Sequence, residues 1–352
     1  MKNKPPYRVL VIDDSAFIRQ FLTRIINQNQ DLKVIATAAD PIKAMEILKK
    51  TEVDVITLDI EMPNMDGLQF LKQLMHFRPL PVVMISSWTQ EDSEMAVQAL
   101  ALGAVDIIAK PTLGLRIGME KLKDEIITKI KTATQARVGR FPSSPKVASP
   151  PLSVSDNKGL KVTTDKVIAI GASTGGTVAI TEICQQLRPN VPGILIIQHL
   201  PAMFTTSFAA SLNNTTRIQV KEAEDGEQIT SGLALVVPGD KNLTIRKSGA
   251  KYLVKLGPKL DVSIYNPSIN HTLHSVAEVA GVNAMGVILT GMGNDGADGL
   301  KAMRDNGAYT IAQDEKTSVI YGMPLRAWEN KGAAKQVPLP KIAEEIHHWA
   351  GI

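Results

Sequence analysis

Apolar residues along this chain arrive in two alternating rhythms. Short unbroken runs such as RVLVI, DVITLDI and PVVMISS have the length and β-branched content of strands buried on both faces. Between them, AFIRQFLTRIINQ, PIKAMEILKK and GLQFLKQLMHF repeat their apolar positions every three or four residues, as one face of a helix does. From residue 8 the strands RVLVI, KVIATA, DVITLDI, PVVMISS and DIIAK alternate with helices, the last running through MEKLKDEIITKIKTATQ. Five strands separated by helices predict a doubly wound parallel sheet over residues 8–125. A second alternating series fills residues 165–352: VIAIGA and GILIIQ, each followed by a helix, and later AMGVILTG and AYTIAQ. Its middle (RIQVKEA, LALVVP, LTIRK, YLVKL) has more β character and reads as an antiparallel excursion. The fold class is therefore α/β, two doubly wound parallel-sheet domains, the first flavodoxin-like and the second Rossmann-like. Residues 126–164 hold the rest of the last helix and a linker. RFPSSPKVASPPLSVSDNKG is rich in Pro, Ser and Lys without periodicity, either a passive tether or a segment that helps set how the domains face each other.

Composition narrows the classes. The chain of 352 residues is 44% hydrophobic and 21% charged, as expected of a water-soluble globular protein with two cores. A net charge of +4 is too small to suggest a nucleic-acid partner, and the strand-rich second half offers no helix-turn-helix output. Cys184, the only cysteine, excludes an intrachain disulfide and reads as a buried thiol in the helix TVAITEICQQL. No apolar run approaches the roughly 18 residues of a spanning helix, and MKNKPPYRVLVIDD lacks a signal-like core. The expectation is a cytoplasmic protein without membrane insertion.

The first domain gathers charge at strand ends. Asp13 and Asp14 end its first strand, Asp59 the third and Ser86 the fourth, while Lys110 follows the fifth. Three carboxylates at one rim make a hard-oxygen site suited to Mg²⁺ through Asp14 and Asp59, with Asp13 in support. A carboxylate beside such a metal can attack a phosphoryl group, with Ser86 bonding its oxygens and Lys110 neutralising them. These residues lie in VIDDSAFIRQ, LDIEMPNMDG, MISS and AKP, motifs that resemble the receiver domain of two-component response regulators. The resemblance implies phosphorylation of Asp59 by a histidine kinase. Ile107 stands where many receivers carry an aromatic switch residue.

In the second domain three chemically apt residues follow buried strands: Ser173 after VIAIGA, His199 after GILIIQ and Asp295 after GVILTGMGN. Strand ends of an open parallel sheet are where ligands bind, so a nucleophile, a base and an orienting acid can meet there. GASTGG places Ser173 on a strand-to-helix turn, where the N–H of Thr174 can face an oxyanion; a loop of this kind equally cradles a phosphate. His199 occupies the strand end where a dinucleotide fold wants an acid, which favours the hydrolytic reading. His271 and His274 are spaced as a weak metal pair would be, but read as helix-surface histidines. Asp298, the rival of Asp295, reads as the cap of the next helix. AIGASTGGT, IIQHLPAMFTTSFA, VKEAEDGEQI, VILTGMGNDGADGL and YTIAQDEKTSVIYGMP resemble the catalytic domain of bacterial chemotaxis protein-glutamate methylesterases. The resemblance implies a triad of Ser173, His199 and Asp295, with backbone amides near Thr174 and Met292 around the oxyanion. It further implies hydrolysis of glutamate γ-methyl esters, and deamidation of glutamines, on the cytoplasmic domains of chemoreceptors, with no cofactor for the hydrolysis. Asn242 stands where the family often shows His, and Asn266 and Asn270 where it often shows Arg and Asp. A phosphorylation pocket tethered to such a triad leads to the expectation that the unmodified receiver restrains the esterase.

Overall fold

The computed structural model describes residues 4–62, 65–86, 89–110, 119–139, 166–260 and 266–352. The chain divides into two compact units, Met1–Pro142 and Ser143–Ile352. Most of the expected linker, from residue 140 to 164, lies outside the described residues.

In the first unit the strands are β1 (Tyr7–Ile12), β2 (Leu32–Ala38), β3 (Val55–Asp59), β4 (Val82–Ser86) and β5 (Asp106–Ala109). They alternate with helices α1 (Ala16–Ile26), α2 (Pro41–Lys50), α3 (Gly67–Phe77), α4 (Gln90–Ala101) and α5 (Met119–Thr134). The sheet is parallel, in the order β2-β1-β3-β4-β5. Each of α1 to α4 starts on a side-chain cap: Ser15, Asp40, Asp66 and Thr89 accept the N–H three residues on. Helices on both faces bury the central strands completely, and Val9, Val11, Val83 and Ile108 pack against Leu22, Ile126 and Ile130. Strand order reverses between β1 and β3, so a crevice opens above their carboxyl ends.

The second unit repeats the logic on a larger scale. Its elements are β6 (Val167–Ala172), α6 (Gly176–Gln186), β7 (Gly193–Gln198), α7 (Ala202–Thr215), β8 (Gln219–Glu222), β9 (Leu233–Val236), β10 (Asn242–Ser248), β11 (Lys251–Gly257), α8 (Ile269–Ala280), β12 (Ala284–Ile288), α9 (Ala297–Asp305), β13 (Tyr309–Gln313), α10 (Met323–Glu329), β14 (Lys335–Val337) and α11 (Leu339–Ala350). Seven strands form one sheet in the order β14-β13-β12-β6-β7-β9-β8. The antiparallel excursion is smaller than the sequence pattern suggests. Among the described residues β10 and β11 are the only strands that pair antiparallel, as a separate hairpin, whereas β8 and β9 join the main sheet in parallel. The hairpin packs its Leu243, Ile245 and Val254 into the same core as Leu273 and Val276 of α8. Cys184, on α6, is fully buried, and burial pushes its thiol up to about 12, which leaves it inert. Strand order reverses here between β6 and β12, and the loops after those strands carry Ser173 and Asp295.

Candidate active site

Register alone brings the first two residues together. Ala172 pairs with Gln198 at the ends of β6 and β7, so Ser173 and His199 leave adjacent strands side by side. The His199 N–H donates to the Ala172 carbonyl at 3.0 Å. On the other flank the Ser173 N–H donates to the carbonyl of Thr290, just past β12, also at 3.0 Å. Gly291 must be glycine: a Cβ there would lie 2.7 Å from that of Ser173 and 2.4 Å from the Met323 sulfur.

Asp295 closes the group. Its Oδ2 lies 2.9 Å from Nε2 of His199, both side chains being nearly buried. The N–H groups of Ile269 and Asn270 reach the same carboxylate at 2.8 Å each, and the Ser268 hydroxyl at 3.4 Å. These are the first donors of α8, so the carboxylate sits on a helix N-terminus. Burial alone would raise the Asp295 pKa, but the hydrogen bond and charge of His199 and the two backbone donors outweigh it and hold the group below its ordinary value. An ionised carboxylate only accepts, so Nε2 carries the imidazole proton and Nδ1 is the accepting nitrogen. Such a ring can take a proton from a hydroxyl placed at Nδ1.

Thr174 leads from Ser173 into α6, and Met292 follows Gly291 in the loop after β12. Gly175, in the left-handed region at φ 76°, turns the chain into α6, and the Gly176 N–H donates to the Ser173 carbonyl at 2.7 Å. Met292 lines a cleft of about 560 Å³ with Gly293, Asn294, Gly322, Leu325 and Arg326. The Gly291 carbonyl accepts from the N–H groups of Gly322 and Met323, which fastens that loop to the start of α10. Asp298 is not the cap that the sequence suggests. Gly296 holds the N-cap position of α9, and Asp298 lies exposed in its first turn. His271 is half-buried and His274 exposed on α8, and among the described residues neither belongs to a group suited to hold a metal.

The first unit has its own crevice. Ligand oxygens of Asp13, Asp14 and Asp59 lie within 4.8 Å of one another, with Asp13 and Asp59 buried and Asp14 exposed. Lys110 Nζ stands 2.7 Å from Asp59 and 3.7 Å from Asp13. Burial, opposed by Lys110 and reinforced by the charge of Asp13, raises the Asp59 pKa to about 7. Carboxylates crowded against one ammonium leave the pocket short of positive charge, and hard oxygen donors at this spacing fit a divalent cation. The Ser86 hydroxyl reaches the Asp92 carbonyl at 3.4 Å. Ile107 is wholly buried in β5, a core residue without an aromatic ring to swing.

Comparison with known proteins gives each unit a family match. Residues 9–121 match the response regulator receiver domain, and residues 168–346 match the CheB methylesterase family. The protein-glutamate methylesterase/protein-glutamine glutaminase of Salmonella typhimurium (strain LT2) is 47% identical over 96% of this chain and 95% of its own length. The counterpart from Escherichia coli K12 shows the same identity and coverage. The chain belongs to the protein-glutamate methylesterase family. The crystal structure of the Thermotoga maritima CheB methylesterase catalytic domain, 36% identical, aligns with a TM-score of 0.51 over 52% of this methylesterase-family chain and 97% of that domain.

Residues that sequence reading passed over tie the methylesterase crevice together. The Gln198 amide donates to the carbonyls of Ser173 and His199 at 2.9 and 3.3 Å, bridging the two strand tips. The Thr290 hydroxyl bonds the Thr174 carbonyl at 3.0 Å and the Ile320 N–H at 2.9 Å. The asparagines that depart from the family pattern fall into two separate bonding groups. Asn242 donates to Asn266 at 3.1 Å and accepts the Ser268 N–H at 2.7 Å, at the threshold of α8. Asn270 bonds across to α9, with Gly296 and Gly299 as donors.

Proposed function

We propose that this chain is a phosphorylation-controlled carboxylic ester hydrolase that demethylates glutamate γ-methyl esters on the cytoplasmic domains of chemoreceptors and deamidates selected glutamines there. The observation that carries the reading is the His199–Asp295 hydrogen bond of 2.9 Å, made where the adjacent strand delivers Ser173. In this scheme Ser173 Oγ attacks the ester carbonyl while Nδ1 of His199 takes its proton, and Asp295 stabilises the imidazolium. The tetrahedral oxyanion is met by backbone N–H groups near Thr174 and Met292. His199 returns the proton to the departing methoxide, so methanol leaves and an acyl-serine remains. Water, deprotonated by the same imidazole, then splits the acyl-serine to a carboxylate and regenerates the hydroxyl. An amide follows the same course and releases ammonia.

Control belongs to the receiver half. A histidine kinase supplies the phosphoryl group to Asp59, with Mg²⁺ held by Asp14 and Asp59 and supported by Asp13. The cation supplies charge neutralisation for phosphoryl transfer. Lys110 and Ser86 bind the phosphoryl oxygens in this reading, and the esterase needs no cofactor. The family resemblance supports a cytoplasmic setting for this work. Among the described residues no helix is long and apolar enough to cross a membrane.

The test is methanol release from methylated receptor membranes, with and without a small phosphodonor. Ser173→Ala should abolish release, and the phosphodonor should accelerate the native chain. Near-normal turnover by the alanine variant would refute the assignment.

A further inference from the structure

The helices that hold Asp295 and follow it cap each other. Asp295, immediately before the N-cap of α9, accepts the N–H groups of Ile269 and Asn270 at the start of α8. Asn270, in the first turn of α8, returns the favour with its side chain: Oδ1 accepts the N–H groups of Gly296 and Gly299 at 3.0 and 2.8 Å. Helix α9 has no side-chain cap of its own, because Gly296 stands at its N-cap with φ 92°. Two orphan donors in each direction are thus satisfied by a residue of the neighbouring helix.

The two caps differ in charge. A carboxylate accepts the same bonds as an amide oxygen, so Asp at position 270 would serve α9 equally well. It would also put a second negative charge beside Asp295 and favour the protonated imidazole. We propose that Asn270 is a positioning residue for the Asp295–His199 pair. It locks the carboxylate loop to α8 and, being neutral, sets the acidic edge of the pH range in which His199 acts as a base. This rests on the esterase reading above.

Other charges on the surrounding elements are engaged elsewhere or exposed. Asp298 accepts from Asn330, Lys301 pairs with Asp305, and Arg326 pairs with Glu329. Arg304 donates to the Lys331 and Ala333 carbonyls. On α8, His271 is half-buried while His274 and Glu278 are exposed, as are Asp240 and Lys241 before the hairpin. The neighbouring side chain that acts most strongly on Asp295 is His199, through their hydrogen bond.

The experiment uses the full chain and two readouts: the pH profile of methanol release, and an NMR titration of the histidine side chains, with His199 assigned through His199→Gln. Asn270→Asp keeps both acceptor bonds. It should retain plateau kcat within about threefold while the acid limb and the His199 titration both move up by about one pH unit. Asn270→Ala should lower kcat about tenfold with little change in KM, and Asn270→Ser, which keeps an acceptor oxygen, should recover most of that loss. A titration and acid limb for Asn270→Asp that superimpose on the native curves would overturn the electrostatic role. Native kcat in Asn270→Ala would overturn the positioning role. The NMR arm needs no turnover, so its outcome is separable from failure of the esterase reading, which the Ser173→Ala assay decides.

Discussion

Asp59 and Asp295 occupy equivalent places in two similar folds, yet their surroundings drive them in opposite directions. Asp59 ends a buried strand and Asp295 lies in the loop after one, each at a switch point of a parallel sheet, and they are 1% and 5% exposed. Asp59 is pushed up to about 7, whereas Asp295 is held below its ordinary value. Burial penalises both, so burial does not make the difference. Asp295 receives backbone donors from α8 and a proton-bearing imidazole, and among the described residues it shares them with no second carboxylate. Among the described residues Asp59 pairs with one ammonium, that of Lys110, and shares it with Asp13. A carboxylate fed by donors stays charged and can steady an imidazolium. One left short of positive charge is poised to accept a cation and lose its own charge to a phosphoryl group.

The strongest way to break this comparison is to remove the Asp295 charge. Asp295→Asn preserves shape but replaces the acceptor of the His199 proton with an amide that can present either end, so the imidazole tautomer is no longer fixed. On the triad reading kcat for methanol release should fall by about 10⁴-fold. A loss smaller than tenfold would mean that the carboxylate serves only to cap α8.

The second test concerns the sign of the pH dependence. A buried acid whose folded pKa lies above its unfolded value binds more protons folded than unfolded. Its stabilising contribution is complete below about pH 4 and lost as pH rises through about 7. The receiver transition should therefore weaken between pH 5 and 8 in the native chain. Asp59→Asn should remove that slope and stabilise the unit at pH 8 by roughly 2–4 kcal/mol. Added Mg²⁺ should stabilise the native receiver more at pH 8 than at pH 5.5, because the carboxylates must be ionised to bind it. Asp295 works the other way, its contribution being present above the ordinary carboxylate range and lost as pH falls through its lowered pKa. Thermal unfolding followed across pH for both variants checks the signs, and parallel slopes would sink the contrast.

The contrast also shows what could be read from residues alone. The placement of Ser173, His199, Asp13 and Asp59 at strand ends was legible because each ends or directly follows an apolar run, and Asp295 because a glycine-rich loop follows another; parallel strands deliver their ends to one rim. The direction of short strands was not legible. Four residues of β8 and four of β9 look the same whether they pair parallel or antiparallel. Strand β14 is only KQV and carries no periodic signal. The capping of α9 misled for a related reason: the local acid Asp298 fits the sequence rule, but the residue that does the work is Asn270, which comes from another helix. Gln198 and Thr290 escaped because an amide or hydroxyl at a strand end says nothing of its partners until the sheet is assembled. Thr290 meets Thr174, which is 116 positions away.

Thr290 offers the smallest effect and the finest test. Its hydroxyl accepts the Ile320 N–H at 2.9 Å and bonds the Thr174 carbonyl at 3.0 Å, while its own carbonyl holds the Ser173 N–H. Thr290→Val keeps the shape and the backbone bond to Ser173 but deprives a buried N–H of its acceptor, at a cost of about 1–3 kcal/mol. It also frees the Thr174–Gly175 peptide, the neighbour of the Thr174 N–H that is proposed as an oxyanion donor. If that peptide must be held still, kcat should drop about three- to tenfold with KM nearly unchanged, because an oxyanion contact is made chiefly in the transition state. Thr290→Ser restores the hydroxyl and should restore both stability and rate. Destabilisation without any change in kcat would show that Thr290 braces the core and leaves the nucleophile loop to Gln198 and the sheet.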